Sequence, residues 1–231
     1  MKRGFLNLVA LKDQVYEHLR REMKKGRLRP GSAINMDQTS DKLGVSKTPL
    51  RDALIRLEAE GFVTILPRKG VVVNSLTLED VRDYYQVIGA LESTALLSAS
   101  ARLDAAASDK MLRLNADMRR ALAADDFDLY YDKNLQFHSV FIDLAHNRVI
   151  QRTVETLKKR LYDFPRPRDF IKEWEERSVR EHRDLVALIV DKRFDEAASH
   201  LRDVHWSFEV QQPFIRQYYR PLDPAGPGSQ R

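Results

Sequence analysis

The 231-residue sequence predicts a mainly α-helical chain, with three short helices and a β-hairpin followed by an all-helical bundle of about six helices. Two observations predict this order. Before residue 75 the sequence has both helical periodicity and the β-branched runs that are typical of strands, whereas after Ser75 it has helical periodicity alone. Charge divides at the same place, because residues 1–76 hold 15 Lys+Arg against 8 Asp+Glu, whereas the remainder holds 24 against 26. The first third alone is therefore expected to meet a polyanion.

The first segment has the element order of a winged helix-turn-helix. Its opening helix has apolar residues at every fourth position, at Val15, Leu19 and Met23. A second helix is predicted over about 36–43, and a third over about 47–60 after Ser46 as its N-cap. The stretch FVTILPRKGVVVN then places two β-branched runs around a turn, which predicts the hairpin. This segment, residues 1–75, is predicted to be one DNA-binding domain.

The second segment, residues 76–220, is predicted to be all helical. Thr77 with Asp80 three residues later is a variant of the capping box and opens the first long helix. The predicted helical runs are about 77–102, 106–124, 127–145, 147–163, 170–191 and 194–219. The Pro- and Gly-rich tail 221–231 is predicted to be disordered.

Composition excludes several classes of protein. The chain has no cysteine, which excludes disulfide frameworks and thiolate metal sites and fits a reducing compartment. The cationic N-terminus MKRGFLNLVALKDQ lacks the apolar run of a signal peptide, and no stretch is apolar and long enough to span a membrane. A cytoplasmic protein is expected.

The stretch GVSKTPLRDAL, residues 44–54, is the best candidate for reading DNA. Pro49 in the first helical turn stiffens the helix start, while Lys47 and Arg51 share the face opposite the leucines. Lys and Arg both pair with guanine in the major groove, and Thr48 can contact phosphate or a thymine methyl group. The hairpin tip could enter a minor groove through Arg68, Lys69 and Gly70. A solvated cation pair is the alternative for the helix taken alone.

Residues 15–73 resemble the DNA-binding domain of the GntR family of bacterial repressors. The segments GRLRPG, LGVSKTPLRDAL, RLEAEGFV and PRKG occur in the order and spacing of that family. The resemblance implies a dimeric winged helix-turn-helix bound to a palindromic operator, with DNA contacts from Lys47, Thr48, Arg51 and the wing tip. Lys47 stands where the family usually has Arg, and Asp37 stands where it often has a DNA-contacting Arg.

Four residues of the helical segment have the side chains of a nitrogen-rich metal site. Asn134 and His138 lie four apart on one predicted helix, and His182 and His205 lie on two later helices. If the helices converge, three imidazoles and an amide oxygen would hold a divalent metal. Histidines that are merely buried or exposed remain the alternative, since spacing across helices does not show convergence.

The helical segment resembles the FCD ligand-sensing domain of FadR-type GntR regulators. Asn134, His138, His182 and His205 match the metal-ligand patterns of that family, which implies a divalent ion such as zinc, nickel or manganese. His200, His146 and His18 fall outside those patterns. The family often has an effector-binding Arg four residues before a Glu, here Glu92, but that position is Ile88. Arg152 and Arg160 are the substitutes that the sequence offers for binding a carboxylate effector.

Together these features predict a homodimeric transcriptional regulator, a repressor, whose bundle binds a metal and a small organic acid and so modulates operator binding. In one alternative the metal itself is the signal. A metal-dependent hydrolase is another alternative, against which the sequence shows no general-base motif such as H-E-x-x-H beside the histidines. A bundle that only dimerises is a third.

Overall fold

A computed structural model of the chain describes residues 10–163 and 170–219. These residues form two compact units, one of residues 10–76 with 159–163, the other of residues 77–158 with 170–219. The predicted tail 221–231 and the FPRPRD break at 164–169 lie outside the described residues. None of the described helices is both long and apolar enough to cross a membrane.

The first unit has three helices and a small antiparallel sheet. Its elements are α1 (Leu11–Lys24), β1 (Ala33–Ile34), α2 (Met36–Leu43), α3 (Lys47–Ala59), β2 (Val63–Leu66) and β3 (Gly70–Val73). The sheet order is β1-β3-β2, with Ala33 opposite Val72 and Val63 opposite Val73. The predicted hairpin is β2–β3. The short strand β1, which pairs with its other edge, was not predicted because two residues carry no periodicity.

The helices of the first unit pack through the apolar stripes seen in the sequence. The buried residues of α1 and α3 are Val15, Tyr16, Leu19, Met23, Leu50, Ala53, Leu54 and Leu57. Gly44 ends α2 with a φ of 63°, a conformation that side chains with a Cβ rarely adopt, and this allows the tight turn into α3. Ser46 occupies the predicted N-cap position of α3, but its side chain makes no capping hydrogen bond.

The second unit is helical throughout its described residues. Its α-helices are α4 (Leu78–Ala99), α5 (Ala105–Ala123), α6 (Phe127–Leu144), α7 (Arg148–Asp163), α8 (Lys172–Val190), α9 (Phe194–His200) and α10 (Phe208–Tyr219). The last residues of α7, from 159 onward, group with the first unit. The predicted capping box is present at the start of α4, where Thr77 and Asp80 bond reciprocally. The mainly α-helical fold with an N-terminal winged helix-turn-helix is confirmed.

The prediction of one continuous helix over 194–219 is wrong. After α9 the chain forms a π-helical segment over Leu201–His205, and α10 begins only at Phe208. A π-helical turn closes with an i→i+5 hydrogen bond, and the Trp206 amide donates to the Leu201 carbonyl at 2.8 Å. This wider turn changes the direction in which His205 and Trp206 leave the helix. It therefore affects where the His205 imidazole lies.

Candidate metal centre and nucleic-acid interface

Helix α3 presents a cationic face to solvent. Lys47, Thr48 and Arg51 are all exposed in its first two turns, whereas Leu50 and Leu54 are buried on the opposite side. The buried leucines fix the helix on the core of its unit, so the direction of the exposed face is also fixed. This is the arrangement that a helix needs to enter a major groove without losing its packing.

Lys47 has an ion-pair partner that the sequence did not indicate. Its Nζ contacts the Oδ1 of Asp37, a residue in the first turn of α2, and both side chains are largely exposed. The hydrogen bond and charge of Asp37 raise the pKa of Lys47 above its ordinary value. The position at which the family often has an Arg thus carries the counter-charge of Lys47. An exposed pair of this kind adds little to stability.

The wing tip is the turn between β2 and β3. Arg68, Lys69 and Gly70 are all exposed there, and Arg68 has a φ of 64°, which is uncommon for a residue with a Cβ. Two adjacent cations therefore project from a narrow turn. In this unit the structure thus keeps all six residues predicted to contact DNA accessible on its surface.

The second unit brings three histidines from different elements to one place. His138 lies on α6, His182 on α8 and His205 at the end of the π-helical segment. One ring nitrogen from each lies within 4.8 Å of the other two, and the Nε2 atoms of His138 and His182 are 3.2 Å apart. Two imidazoles at about 2.0–2.1 Å from one ion have nitrogens roughly 3–3.4 Å apart. The three residues thus could bind a metal ion.

Two carboxylates orient two of the rings by accepting hydrogen bonds from their Nδ1–H groups. His138 donates its Nδ1–H to Glu92 Oε2 at 2.7 Å, and His205 donates its Nδ1–H to Glu181 Oε2 at 2.9 Å. Each bond fixes the tautomer, so the Nε2 atom of each ring keeps its lone pair. A carboxylate behind a histidine is the usual second layer of a metal site, because it fixes the ring and raises its basicity.

Both carboxylates are themselves held by several groups. Glu92 also accepts from Trp206 Nε1 at 2.8 Å, and its Oε1 lies 2.6 Å from the ammonium of Lys158. Glu181 accepts from Gln211 and Arg177. The bonds to its Oε1 are 3.0 Å from Gln211 Nε2 and 2.9 Å from Arg177 Nε.

Burial keeps the imidazoles of His138 and His182 neutral. It lowers the pKa of His138 to about 4 and that of His182 well below its usual value, because a dry interior penalises the imidazolium. Burial alone would raise the pKa of Glu92, but the attraction of His138 and Lys158 outweighs it and holds that pKa below its ordinary value. Neutral imidazoles are the form that binds metals. His138 and His182 therefore need no deprotonation to accept a metal near neutral pH.

Besides Glu92 Oε1, which faces the Lys158 ammonium, two buried polar atoms of these residues have no hydrogen-bond partner among the described residues. They are Asn134 Oδ1, on the helical turn before His138, and His182 Nδ1. Asn134 is 5% exposed and His182 is fully buried. Leaving a buried acceptor unpaired typically costs about 1–3 kcal/mol, so a water molecule or an ion beside such an atom would stabilise the fold. The oxygen of Asn134 has the chemistry of a fourth ligand.

The two predicted effector residues contact backbone carbonyls in the described structure. Arg152 is exposed on α7, and its Nε donates to the carbonyl of Arg148 one turn earlier. Arg160 belongs to the first unit, where its Nη1 donates to the Glu60 carbonyl at 3.4 Å. His200 donates its Nε2–H to the Glu181 carbonyl at 3.0 Å, which is a structural bond.

Three charged residues of this site were missed or only partly recognised from the sequence. Glu92 was noted by resemblance alone, and Lys158 and Glu181 were not singled out. The sequence signal for Glu181 was its place directly before His182. No comparable signal existed for Lys158, because a lysine in KKR on an amphipathic helix normally faces solvent.

Comparison with known proteins agrees with both units. The pattern of the gntR family of bacterial regulatory proteins matches residues 11–73, and that of the FCD domain matches residues 83–205. The chain belongs to the GntR family. It is a DNA-binding transcriptional regulator with an FCD domain, and its relatives are regulators rather than enzymes. GntR regulators bind DNA operators and generally act as dimers.

Individual relatives cover most of the chain. The Nta operon transcriptional regulator of Aminobacter aminovorans is 32% identical over 74% of this chain and 80% of its own length. The HTH-type regulator YdhC of Bacillus subtilis is 27% identical over 81% of this chain and 84% of its own length. Among solved structures, McbR/YncC of E. coli shares the fold at 20% identity, with a TM-score of 0.68 and coverage of 94% and 100%.

Proposed function

We propose that this GntR regulator is a homodimeric cytoplasmic repressor of a palindromic operator, and that its FCD domain binds a divalent metal and a small organic acid. The observation that carries the metal is the convergence of three imidazoles from three helical elements, of which those of His138 and His182 are fully buried. The proposed ligands are Asn134, His138, His182 and His205.

The donor set favours a borderline metal. Three imidazole nitrogens and one amide oxygen suit zinc or nickel, and manganese accepts such a set with lower affinity. Asn134 supplies no charge, so this ligand set holds the metal without neutralising it. When bound, the metal would offer a Lewis-acid position to an oxygen atom of the effector.

On DNA, the proposed contacts come from the exposed face of α3 and from the wing. Arg51 can pair with a guanine in the major groove, and Lys47 can reach a guanine or a phosphate. Thr48 contacts phosphate or a thymine methyl group, and the wing contributes Arg68, Lys69 and Gly70. Effector binding changes operator affinity only by as much as the effector prefers one state of the dimer.

Elemental analysis of the purified protein tests the metal site. The wild type is expected to hold about one metal per chain, or to take one up from zinc or nickel after removal of bound metal with EDTA. His182→Ala is expected to lose it, because one of the imidazole ligands is gone. His146→Ala is the matched control, since His146 is exposed. A wild type that takes up none of these metals refutes the site.

Operator binding with and without metal distinguishes a regulator that responds to an organic acid from one that responds to the metal itself. The operator can be selected from random duplexes, and its affinity measured in metal-loaded and EDTA-treated protein. We expect metal to be needed for the response to organic acids and to change affinity little when added alone. If metal alone shifts affinity across a physiological range, the metal is the signal.

The DNA face is tested by Arg51→Ala. We expect loss of about tenfold or more in operator affinity, because a base contact is removed without disturbing the buried leucines. Arg82→Ala removes the same charge from an exposed position on α4 and serves as control. Equal operator binding by these two variants would remove Arg51 from the interface.

A further inference from the structure

An ion pair joins the first turns of α2 and α3 beside the cationic face of α3. Lys47 is the first residue of α3 and Asp37 the second residue of α2, and the Nζ atom of Lys47 contacts Oδ1 of Asp37. The two side chains are 67% and 70% exposed, so the contact leaves most of each group accessible. A pair this exposed adds little to the free energy of unfolding. Both charges are therefore available to a ligand that approaches this face.

The backbone that carries Asp37 is held at several points. The side chain of Asn35, the N-cap of α2, accepts from the amides of Asp37 and Gln38, both at 3.0 Å. The Ser40 hydroxyl donates to the Asp37 carbonyl at 2.9 Å, and Ser40 is buried. Asp37 thus extends from a capped helical turn, and Lys47 extends from a helix that buried leucines fix on the core of the unit. The two groups are presented together in one arrangement.

Asp37 lowers the attraction of this face for DNA in general. Its carboxylate repels phosphate, and in the free protein it occupies the ammonium of Lys47, which would otherwise replace a counterion of the DNA. Asp37 therefore weakens the binding of every duplex that gives its carboxylate no hydrogen bond. Such a cost raises specificity when one sequence satisfies the carboxylate and the others do not.

The major groove offers one base pair that complements the two groups. A carboxylate only accepts hydrogen bonds and an ammonium only donates them. A cytosine–guanine pair presents its single donor, cytosine N4, next to two acceptors, guanine O6 and N7. In an adenine–thymine pair the adenine amino group lies between the acceptors N7 and O4, so a carboxylate there also faces an acceptor on either side. One donor followed by two acceptors is the order that matches Asp37 beside Lys47.

We propose that Asp37 and Lys47 together read one cytosine–guanine pair in each half of the operator. Asp37 accepts from cytosine N4, and Lys47 donates to guanine O6 or N7 while it keeps its contact with Asp37. The inference rests on the DNA face proposed above and adds to it a residue that selects sequence. Asp37 excludes thymine and guanine from the cytosine position, because their O4 and O6 atoms would face the carboxylate.

Selection of operators from random duplexes by the full-length protein tests this assignment. We expect the wild type to enrich cytosine at one position of each half-site. Asp37→Ala should lose the preference at that position alone, and Asp37→Asn should move it toward adenine, because an amide pairs with adenine N6 and N7. Asp41→Asn removes an exposed charge from the next turn of α2, and this matched control should enrich the wild-type operator.

Titration of defined duplexes gives the size of the effect. Replacing the selected cytosine–guanine pair by thymine–adenine should weaken binding about tenfold or more in the wild type and about threefold or less in Asp37→Ala. Equal losses in these two proteins, or base preferences unchanged in both Asp37 variants, overturn the role of Asp37. If Arg51→Ala binds the wild-type operator as tightly as the wild type does, the DNA face itself is wrong. A wild type that enriches no sequence overturns both proposals.

Discussion

Glu92→Gln tests whether the buried charges behind His138 are a coupled unit. Oε2 of Glu92 accepts from His138 and Trp206, and Oε1 faces Lys158. A glutamine has only one acceptor atom, so its NH₂ group must face either Lys158 or the two N–H donors. Lys158 would then be a buried charge without its counter-ion. Breaking a buried pair in this way typically costs about 3–5 kcal/mol of unfolding free energy.

The measurement is urea unfolding of the EDTA-treated protein, followed by far-ultraviolet circular dichroism. Glu92→Gln with Lys158→Met should recover most of the loss, because no unpaired charge is left buried. Glu79→Gln is the control on the same helix, since Glu79 pairs with Arg82 at the surface and should shift the midpoint little. Equal midpoints for Glu92→Gln and Glu79→Gln would show that the buried pair is not coupled.

Two further predictions concern charge and pH. Asp37→Asn should strengthen binding to random duplex DNA and steepen the slope of log affinity against log salt concentration by about 0.9 per chain, because the freed Lys47 can replace a counterion. Asp41→Asn removes the same charge from α2 and should steepen this slope less. Equal slopes for the two variants would contradict this role of Asp37. The metal-free protein should lose stability as the pH falls from 6.5 to about 4, because the pKa of His138 is lowered in the folded state and the unfolded chain binds more protons in this range. Urea titrations should show that the free energy of unfolding falls by about 3 kcal/mol over this range, and by less in His138→Gln. An identical loss in His138→Gln would refute the prediction.

Local patterns were enough to predict most of the fold. The hairpin, the apolar stripe of α3 and the capping box at Thr77 depend on residues close in sequence, and all three are present. Ser46 shows the limit of such reasoning, because the residue type fits the cap position while its side chain makes no capping bond. Whether a cap bond forms depends on a rotamer that the sequence does not determine.

The sequence predicted the three histidines that the structure brings together, but not the charged residues around them. The histidines were found because their patterns match a family, and the structure brings His138, His182 and His205 together. The burial of Lys158 depends on packing between helices far apart in sequence, and the pairing of Asp37 with Lys47 depends on the angle between α2 and α3. Neither leaves a periodic signal. The π-helical segment was missed because LRDVH is compatible with an ordinary α-helix.

The π-helical segment means that the position of one imidazole and the register of the last helix cannot change separately. In an α-helix, a slip of one residue rotates a side chain by about 100° around the axis. If Leu201–His205 relaxed to the ordinary turn, His205 would rotate away from the other two rings, and Trp206 would lose its bond to Glu92. Whatever binds His205 thus also fixes the rotational phase at which α10 begins at Phe208. A single bound ion would hold the last helix in one register.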